Sequence, residues 1–208
     1  LPHLLRLASD QTMDADVYLD AAAILQRLDR VDEAVAVLKT MTQVMPRDWQ
    51  AYVRLARLLI LRNELDEAEE ALARAGEFAG QEGAASVEHL RKDLEAQRAE
   101  ERIRLMREAL EQGGGDIETR LRLIEELIVS DRIDEALHTS ELMLHEQPES
   151  LEPLLHTLEE ATRRPDVSFR LYDYLADLYF QQGRYDELLR LYRAMAEKSL
   201  EPARMIER

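Results

Sequence analysis

The stretch Asp32-Glu33-Ala34 recurs as Asp66-Glu67-Ala68 and again as Asp134-Glu135-Ala136. The offsets between the copies are 34 residues and then 68, which is twice 34. A fixed period of this length is typical of repeats that each form one supersecondary unit and cannot bury their apolar face alone. The sequence therefore predicts a stack of such units, and stacks of this kind present extended surfaces for binding.

The composition of the chain favours helix. Of the 208 residues, 46% are hydrophobic and 34% are charged, with only 7 Gly and 6 Pro. That balance is too apolar for a disordered chain and too poor in turn formers for an all-β protein. The formal net charge of -16, without a basic stripe, argues against nucleic acid as a partner. The lack of cysteine excludes disulfides, thiolate catalysis and cysteine-ligated zinc.

Four stretches each contain two apolar stripes at helical spacing with a short break between them. They are residues 15–48, 49–82, 117–150 and 169–202. The last stretch is the clearest, with Tyr172, Leu175, Ala176 and Tyr179 in its first stripe, a break at Gly183 and a second stripe from Tyr185. Each stretch is predicted to form an antiparallel pair of helices.

These residues resemble the tetratricopeptide repeat family, whose 34-residue unit has an aromatic residue, a Leu followed by a small residue, and a Tyr in its first helix. Tyr172, Leu175-Ala176 and Tyr179 fit that pattern, and so do Tyr52 and Leu55-Ala56. Two positions depart from it, because Ile124 and Leu188 are larger than the pattern expects. The resemblance implies an all-α fold, a right-handed α-α superhelix of antiparallel helix hairpins.

The repeat pattern also predicts how the chain is divided. Residues 1–14 resemble the second helix of a truncated preceding repeat, and residues 15–82 hold two repeats. Residues 117–208 hold two more, separated by an 18-residue insert at 151–168 that displaces the last copy from the 34-residue register. The insert is predicted to be one helix from Leu151 to about Thr162. Because the chain begins at Leu1 and not at Met, we expect a fragment of a larger protein.

Residues 83–116 keep the length of a repeat but lose its motif, so they are either a degenerate repeat or a long linking helix. There is no Gly or Pro from Ser86 to Glu111, which favours a single long irregular helix in the middle of the fold. Val87, Leu90 and Leu94 share one face of such a helix. A second apolar set lies on a face rotated by roughly 160°: Ala99, Ile103, Met106 and Leu110. A turn near residues 96–99 would instead give two helices, and the sequence leaves both arrangements open.

Candidate catalytic and metal sites are few. Glu135, His138, Glu141 and His145 step by three, three and four along one helix, a spacing that could align metal ligands. A solvated helix face explains the same residues. No serine stands in a Gly-x-Ser-x-Gly frame, and the paired carboxylates lie in solvated stretches. We therefore predict a protein that is not an enzyme and has no cofactor or metal.

The resemblance to tetratricopeptide repeats implies that first helices line a concave groove for a partner. Carried over residue by residue, the predicted partner-binding positions are Asp16, Leu19, Asp20, Val53, Arg54, Arg57, Ile60, Leu121, Arg122, Glu125, Arg170, Asp173, Tyr174, Asp177 and Phe180. Family members that clamp chaperone tails have Lys and Asn where this chain has Leu19 and Ala23, so that ligand is not expected. Arg54, Arg57 and Arg122 would meet acidic groups of the partner. Ile60, Tyr174 and Phe180 would serve as apolar anchors.

The function predicted from the sequence is a non-catalytic scaffold that binds a peptide or helical segment of another protein in this groove. The alternatives are a module for self-association into a homo-oligomer and a regulatory sensor domain that binds a signalling peptide. No run approaches the roughly 20 apolar residues that span a bilayer, and no signal peptide is evident. The segment is expected to be soluble, without membrane insertion, and the cytoplasm is the favoured location.

Overall fold

The chain folds into α-helices. A computed structural model describes residues 14–112 and 116–206, so the helix expected within residues 1–14 lies outside the described residues except for Asp14. The helices are α1 Ala15–Arg27, α2 Val31–Val44, α3 Trp49–Leu61, α4 Leu65–Phe78, α5 Gly80–Glu111, α6 Ile117–Val129, α7 Ile133–Glu146, α8 Leu151–Thr162, α9 Phe169–Gln181 and α10 Tyr185–Ile206. A 3₁₀ turn, Pro148–Ser150, precedes α8. The described residues contain no strand, and the all-α prediction is confirmed.

One backbone turn recurs between the two helices of four pairs. Fourteen residues after the first helix begins, the chain takes a positive φ in each pair: Asp29 at 59°, Asn63 at 61°, Asp131 at 57° and Gly183 at 69°. The next amide then donates to the carbonyl five residues earlier, as from Arg30 to Leu25 at 2.9 Å. This closure is a Schellman motif, which ends a helix and reverses the chain. Gly, Asn and Asp are the residues that tolerate the left-handed conformation best, so the turn follows from the sequence.

Packing divides the chain into two compact units, Leu1–Glu100 and Glu101–Arg208. The core of unit 1 is formed by α1 to α4 and the first part of α5, and the core of unit 2 by the later helices. Small residues allow close approach of neighbouring helices in both units. Ala34, Ala68 and Ala136, the alanines of the recurring Asp-Glu-Ala, are fully buried.

The long helix α5 is uninterrupted from Gly80 to Glu111. Val87, Leu90 and Leu94 are buried in the core of unit 1. Ile103 is buried in the core of unit 2, whereas Leu105, which lies on the first face, is exposed. Of the two arrangements left open by the sequence, the structure has the single helix, and its buried face changes along its length.

The insert forms helix α8 with the bounds predicted from the sequence, Leu151–Thr162. Its Leu154, Leu155 and Leu158 are buried in the core of unit 2. The helix packs against both α6 and α9. In consecutive repeats, α6 and α9 would pack directly against each other. Here α8 lies between them and replaces part of that contact.

Candidate partner-binding surface

In unit 1, the first helices α1 and α3 border a small cleft of about 40 Å³. Ala22, Ala23 and Gln26 line it from α1, and Arg54, Arg57 and Leu58 line it from α3, with Leu38 of α2 at its base. Of the predicted partner-binding residues of unit 1, Asp16, Asp20, Arg54 and Arg57 are exposed. The cleft thus has an apolar floor and a charged rim.

The rim of this cleft carries charge that its surroundings do not neutralise. Arg54 and Arg57 stand three residues apart on one face of α3, and neither forms an ion pair with a described residue. Most arginines in the described part of the chain form ion pairs, for example Arg62 with Asp32 at 3.0 Å. Two adjacent unpaired guanidinium groups on a chain of net charge -16 form a local basic site on an acidic molecule. Asp16 and Asp20 place unpaired carboxylates on α1 in the same way.

In unit 2, the predicted residues of α6 are only partly available. Arg122 and Glu125 are exposed, and Leu121 is half-buried against the core. The Arg122 guanidinium forms an ion pair at 2.5 Å with Glu118 of its own helix. Because this pair is exposed, its contribution to stability is only a few tenths of a kcal/mol, so a partner could displace it at little cost.

The predicted residues of α9 face two directions. Arg170 forms an ion pair with Asp134 of α7. Burial, with a smaller effect from Glu141 of α7, raises the pKa of Tyr174 to about 12. Arg170 and Tyr174 therefore lie on the side of α9 toward α7, with Tyr174 half-buried and Arg170 exposed. Asp173, Asp177 and Phe180 are also exposed.

The tetratricopeptide repeat family model matches residues 25–86, which run from the end of α1 into α5. Helix pairs beyond this stretch have the same left-handed turn at the same position. Residues 25–86 therefore consist of tetratricopeptide repeats. Repeats of this family are modules for protein interaction, and that is the class of function the family supports here.

Comparison with solved structures gives a similar chain in the crystal structure of YrrB, described as a TPR protein with an unusual peptide-binding site. The similarity covers 84% of this chain and 91% of that chain, with 18% sequence identity and a TM-score of 0.41. No curated protein matches the chain.

Two residues that the tetratricopeptide repeat pattern assigns to the groove offer almost no surface to a partner. Leu19 and Val53 are buried in the core of unit 1, and Ile60 is half-buried against it. Helical spacing identifies the face on which these residues lie, but it does not show that the adjacent helices cover them. Leu19 and Val53 therefore stabilise the repeat and are left out of the surface proposed below.

The sequence did not predict two larger depressions on the surface of the described residues. One, of about 470 Å³ in unit 2, lies between the end of α6 and the loop before α9, and is lined by Ile128, Val129, Asp131, Arg164, Pro165, Asp166 and Val167. The other, of about 370 Å³ in unit 1, lies between the second helices α2 and α4 over Tyr52, Leu55 and Leu59. Arg163-Arg164-Pro165 ends a helical pattern in the sequence and so predicts a loop before α9. The sequence does not predict that this loop packs beside the end of α6.

One of the four possible metal ligands on α7 is held by arginines. The Glu135 carboxylate accepts hydrogen bonds from Arg132 and Arg107, which hold its pKa below the usual range. In the part of the chain that the structure describes, no group of three or more histidine, aspartate or glutamate side chains is placed to hold a metal ion. None of the described helices combines the length and apolar composition needed to cross a membrane.

Proposed function

We propose that this chain is a non-catalytic scaffold that binds a peptide or helical segment of another protein on the first-helix face of its repeats. In unit 1 the contact is the cleft between α1 and α3. The observation that carries the proposal is the unpaired, exposed state of Arg54 and Arg57 beside that cleft. In unit 2 the exposed Arg122, Glu125, Asp173, Asp177 and Phe180 provide further contacts.

The signs of the charges around the cleft specify the chemistry of the bound segment. Carboxylates of the partner would lie toward Arg54 and Arg57, and basic groups toward Asp16 and Asp20. Small apolar side chains would fill the space over Ala22 and Leu58. Complementary charges of this kind contribute more to specificity and to association rate than to affinity, so the interaction should weaken as salt increases.

The test selects ligands from a library of displayed 16-residue peptides against the 208-residue chain. We expect enrichment of amphipathic peptides that carry Asp or Glu next to apolar residues. The double variant Arg54→Glu with Arg57→Glu should bind the selected peptides at least tenfold more weakly, about 1.4 kcal/mol. Titration of a labelled peptide by fluorescence anisotropy, at low and high salt, measures this change.

The matched control is Arg91→Glu with Lys92→Glu, which makes the same change in charge within unit 1. Both residues are exposed, and Arg91 lies beside Gly76 of α4, away from the α1 and α3 cleft. The control should bind as the unmodified chain does, and circular dichroism should give the same melting temperature for both variants. Selected peptides that bind the Arg54 and Arg57 double variant with unchanged affinity would show that the assignment is wrong.

A further inference from the structure

Helix α10 has an apolar stripe that no described part of the molecule covers. Tyr185, Leu189 and Tyr192 are 57%, 55% and 50% exposed, and at 100° per residue they lie within about 60° of one another on the helix. The ring of Phe180 extends this patch, since it meets Tyr185 edge-on at a centroid distance of 6.1 Å. Leu191, about 100° from Tyr192 around the helix, is buried in the core of unit 2, and Leu188, whose angle lies between those of these two residues, packs against the same core.

The equivalent stripe is covered in the other second helices. The residues of α2 and α7 at these three repeat positions are buried or half-buried: Val31, Val35, Leu38, Ile133, Leu137 and Ser140. In α4, Leu65 and Leu72 are likewise covered, and the third position is Glu69, whose carboxylate binds Arg98 of α5. The position of the stripe in the repeat is therefore one at which another helix packs.

Each covering helix also supplies an arginine to the aspartate of the recurring Asp-Glu-Ala. Arg62, at the end of α3, pairs with Asp32 at 3.0 Å, and Arg98 of α5 pairs with Asp66 at 3.0 Å. Arg170 of α9 pairs with Asp134. Asp186 occupies the same position in α10, and among the described residues no cation pairs with it. The face thus requires a helix with an apolar stripe and an arginine beside it.

Helix α10 itself meets this requirement. Arg193 is exposed and lies on the same flank of the stripe as Asp186, about 10 Å further along the helix. Consider a second copy of α10 related to the first by a two-fold axis perpendicular to the helix. The two helices are then antiparallel, and the flank that carries Asp186 and Arg193 lies beside the same flank of the second copy. Asp186 then faces Arg193 of the second copy, and the reverse pair forms at the other end of the stripe.

We propose that the α10 face pairs antiparallel with α10 of a second copy of this chain, burying Tyr185, Leu189 and Tyr192 and joining Asp186 to Arg193 twice. The interface is isologous and therefore closed at two copies. Its small apolar area corresponds to a weak dimer, with a dissociation constant on the order of tens to hundreds of micromolar. The surface is separate from the α1 and α3 cleft and shares only Phe180 with the unit 2 contacts proposed above, so failure of the dimer leaves the cleft proposal intact, and the reverse holds too.

Sedimentation equilibrium of the 208-residue chain over a range of concentrations tests the pairing. The chain should show a monomer-dimer equilibrium, and Leu189→Glu should lower the association constant at least tenfold. Leu142→Glu is the matched control, because Leu142 is also an exposed leucine on a second helix of unit 2, and it should leave the equilibrium unchanged. A chain that stays monomeric at every concentration would overturn the proposal, as would dimerisation that Leu189→Glu does not weaken.

A charge exchange tests the register. Asp186→Arg alone places Arg against Arg, and Arg193→Asp alone places Asp against Asp, so each variant should associate at least threefold more weakly than the unmodified chain. An equimolar mixture of the two should form a heterodimer at least as readily as the unmodified chain dimerises, because both pairs are then complementary. Restored association also shows that both variants are folded. A mixture that associates no better than its components would contradict the antiparallel pairing.

Discussion

Gly76 and Gly83 both lie inside helices but differ in the space around them. Alanine substitutions at these two positions can therefore distinguish the contributions of helix propensity and of packing to stability. Gly76 lies in α4, where an added Cβ would lie 3.2 Å from the end of the flexible Arg91 side chain and in ordinary contact with Val87 at 4.0 Å. Gly83 lies in α5, where a Cβ would lie 2.6 Å from that of Ala79 and 2.8 Å from Cε3 of Trp49. Since Gly costs about 1 kcal/mol relative to Ala inside a helix, the two positions should respond to alanine in opposite directions.

Gly76→Ala should raise the free energy of unfolding by up to about 1 kcal/mol. Gly83→Ala should lower it by up to about 2 kcal/mol, because overpacking costs about 1–3 kcal/mol and exceeds the propensity gain. Urea denaturation followed by circular dichroism measures both changes. In a Trp49→Leu background the penalty at Gly83 should shrink, and a stabilising effect of Gly83→Ala in the unmodified chain would refute the close contact with Trp49.

For single residues, the sequence predicts backbone conformation better than it predicts side-chain burial. The break predicted at Gly183 is one of the left-handed turn positions of the structure, because the conformational preference of the residue itself decides it. Leu19 and Val53 were predicted to contact a partner, but both are buried in the core of unit 1. Burial of a side chain depends on which neighbouring helix covers it. The spacing of residues within one helix does not predict which helix that is.

The continuity of α5 is the main property of the helices that the sequence left open. In the structure α5 passes through residues 96–99 without a break, and Gln97 is exposed there. Proline at this position removes a backbone hydrogen bond and clashes with the preceding turn, which costs about 3 kcal/mol inside a helix. Gln97→Pro should therefore lower both helicity and the free energy of unfolding.

Gln97→Ala is the control for this substitution and should leave stability within about 0.5 kcal/mol of the unmodified chain. Far-ultraviolet circular dichroism and urea denaturation of the two variants give the comparison. If a turn occurs near residues 96–99 in solution, proline would be accepted there with little loss, and the two variants would have nearly equal stability.

The order of helices in unit 2 shows what a motif alone misses. Helices α6, α8 and α10 begin at residues 117, 151 and 185, so 151 minus 117 and 185 minus 151 are both 34. These starts combine two first helices with a second helix, because α10 is the second helix of the last copy. The last copy of the motif lies on α9, which begins at Phe169, 52 residues after Ile117, and packs against both α8 and α10. The repeat motif predicts where the helices of unit 2 are, but it does not predict which helices pack against one another.

For the molecule as a whole, the sequence predicts the class of fold and of function, and the structure supplies the division of the core. The 34-residue period with its small buried alanines is enough to predict stacked helix pairs. Two separate clusters of buried residues, one in each unit, were not predicted. Charge at the candidate site was visible as Arg54 and Arg57, but the absence of ion pairs around them depends on three-dimensional distances between side chains.

The two cores predict that destabilisation stays local. Leu72 is fully buried in unit 1 and Leu155 in unit 2, and truncation of a buried leucine to alanine costs about 2–5 kcal/mol. In stacked repeats each element is stabilised by its neighbours, and regions with separate cores can open separately. Leu72→Ala should therefore raise the rate of amide hydrogen exchange in α2 to α4 and leave the rate in α8 and α9 unchanged. Leu155→Ala should raise the rate in α8 and α9 and leave it unchanged in α2 to α4.

Hydrogen exchange measured by mass spectrometry gives these rates helix by helix. Equal acceleration in both units by either variant would mean that the whole chain unfolds as one cooperative block.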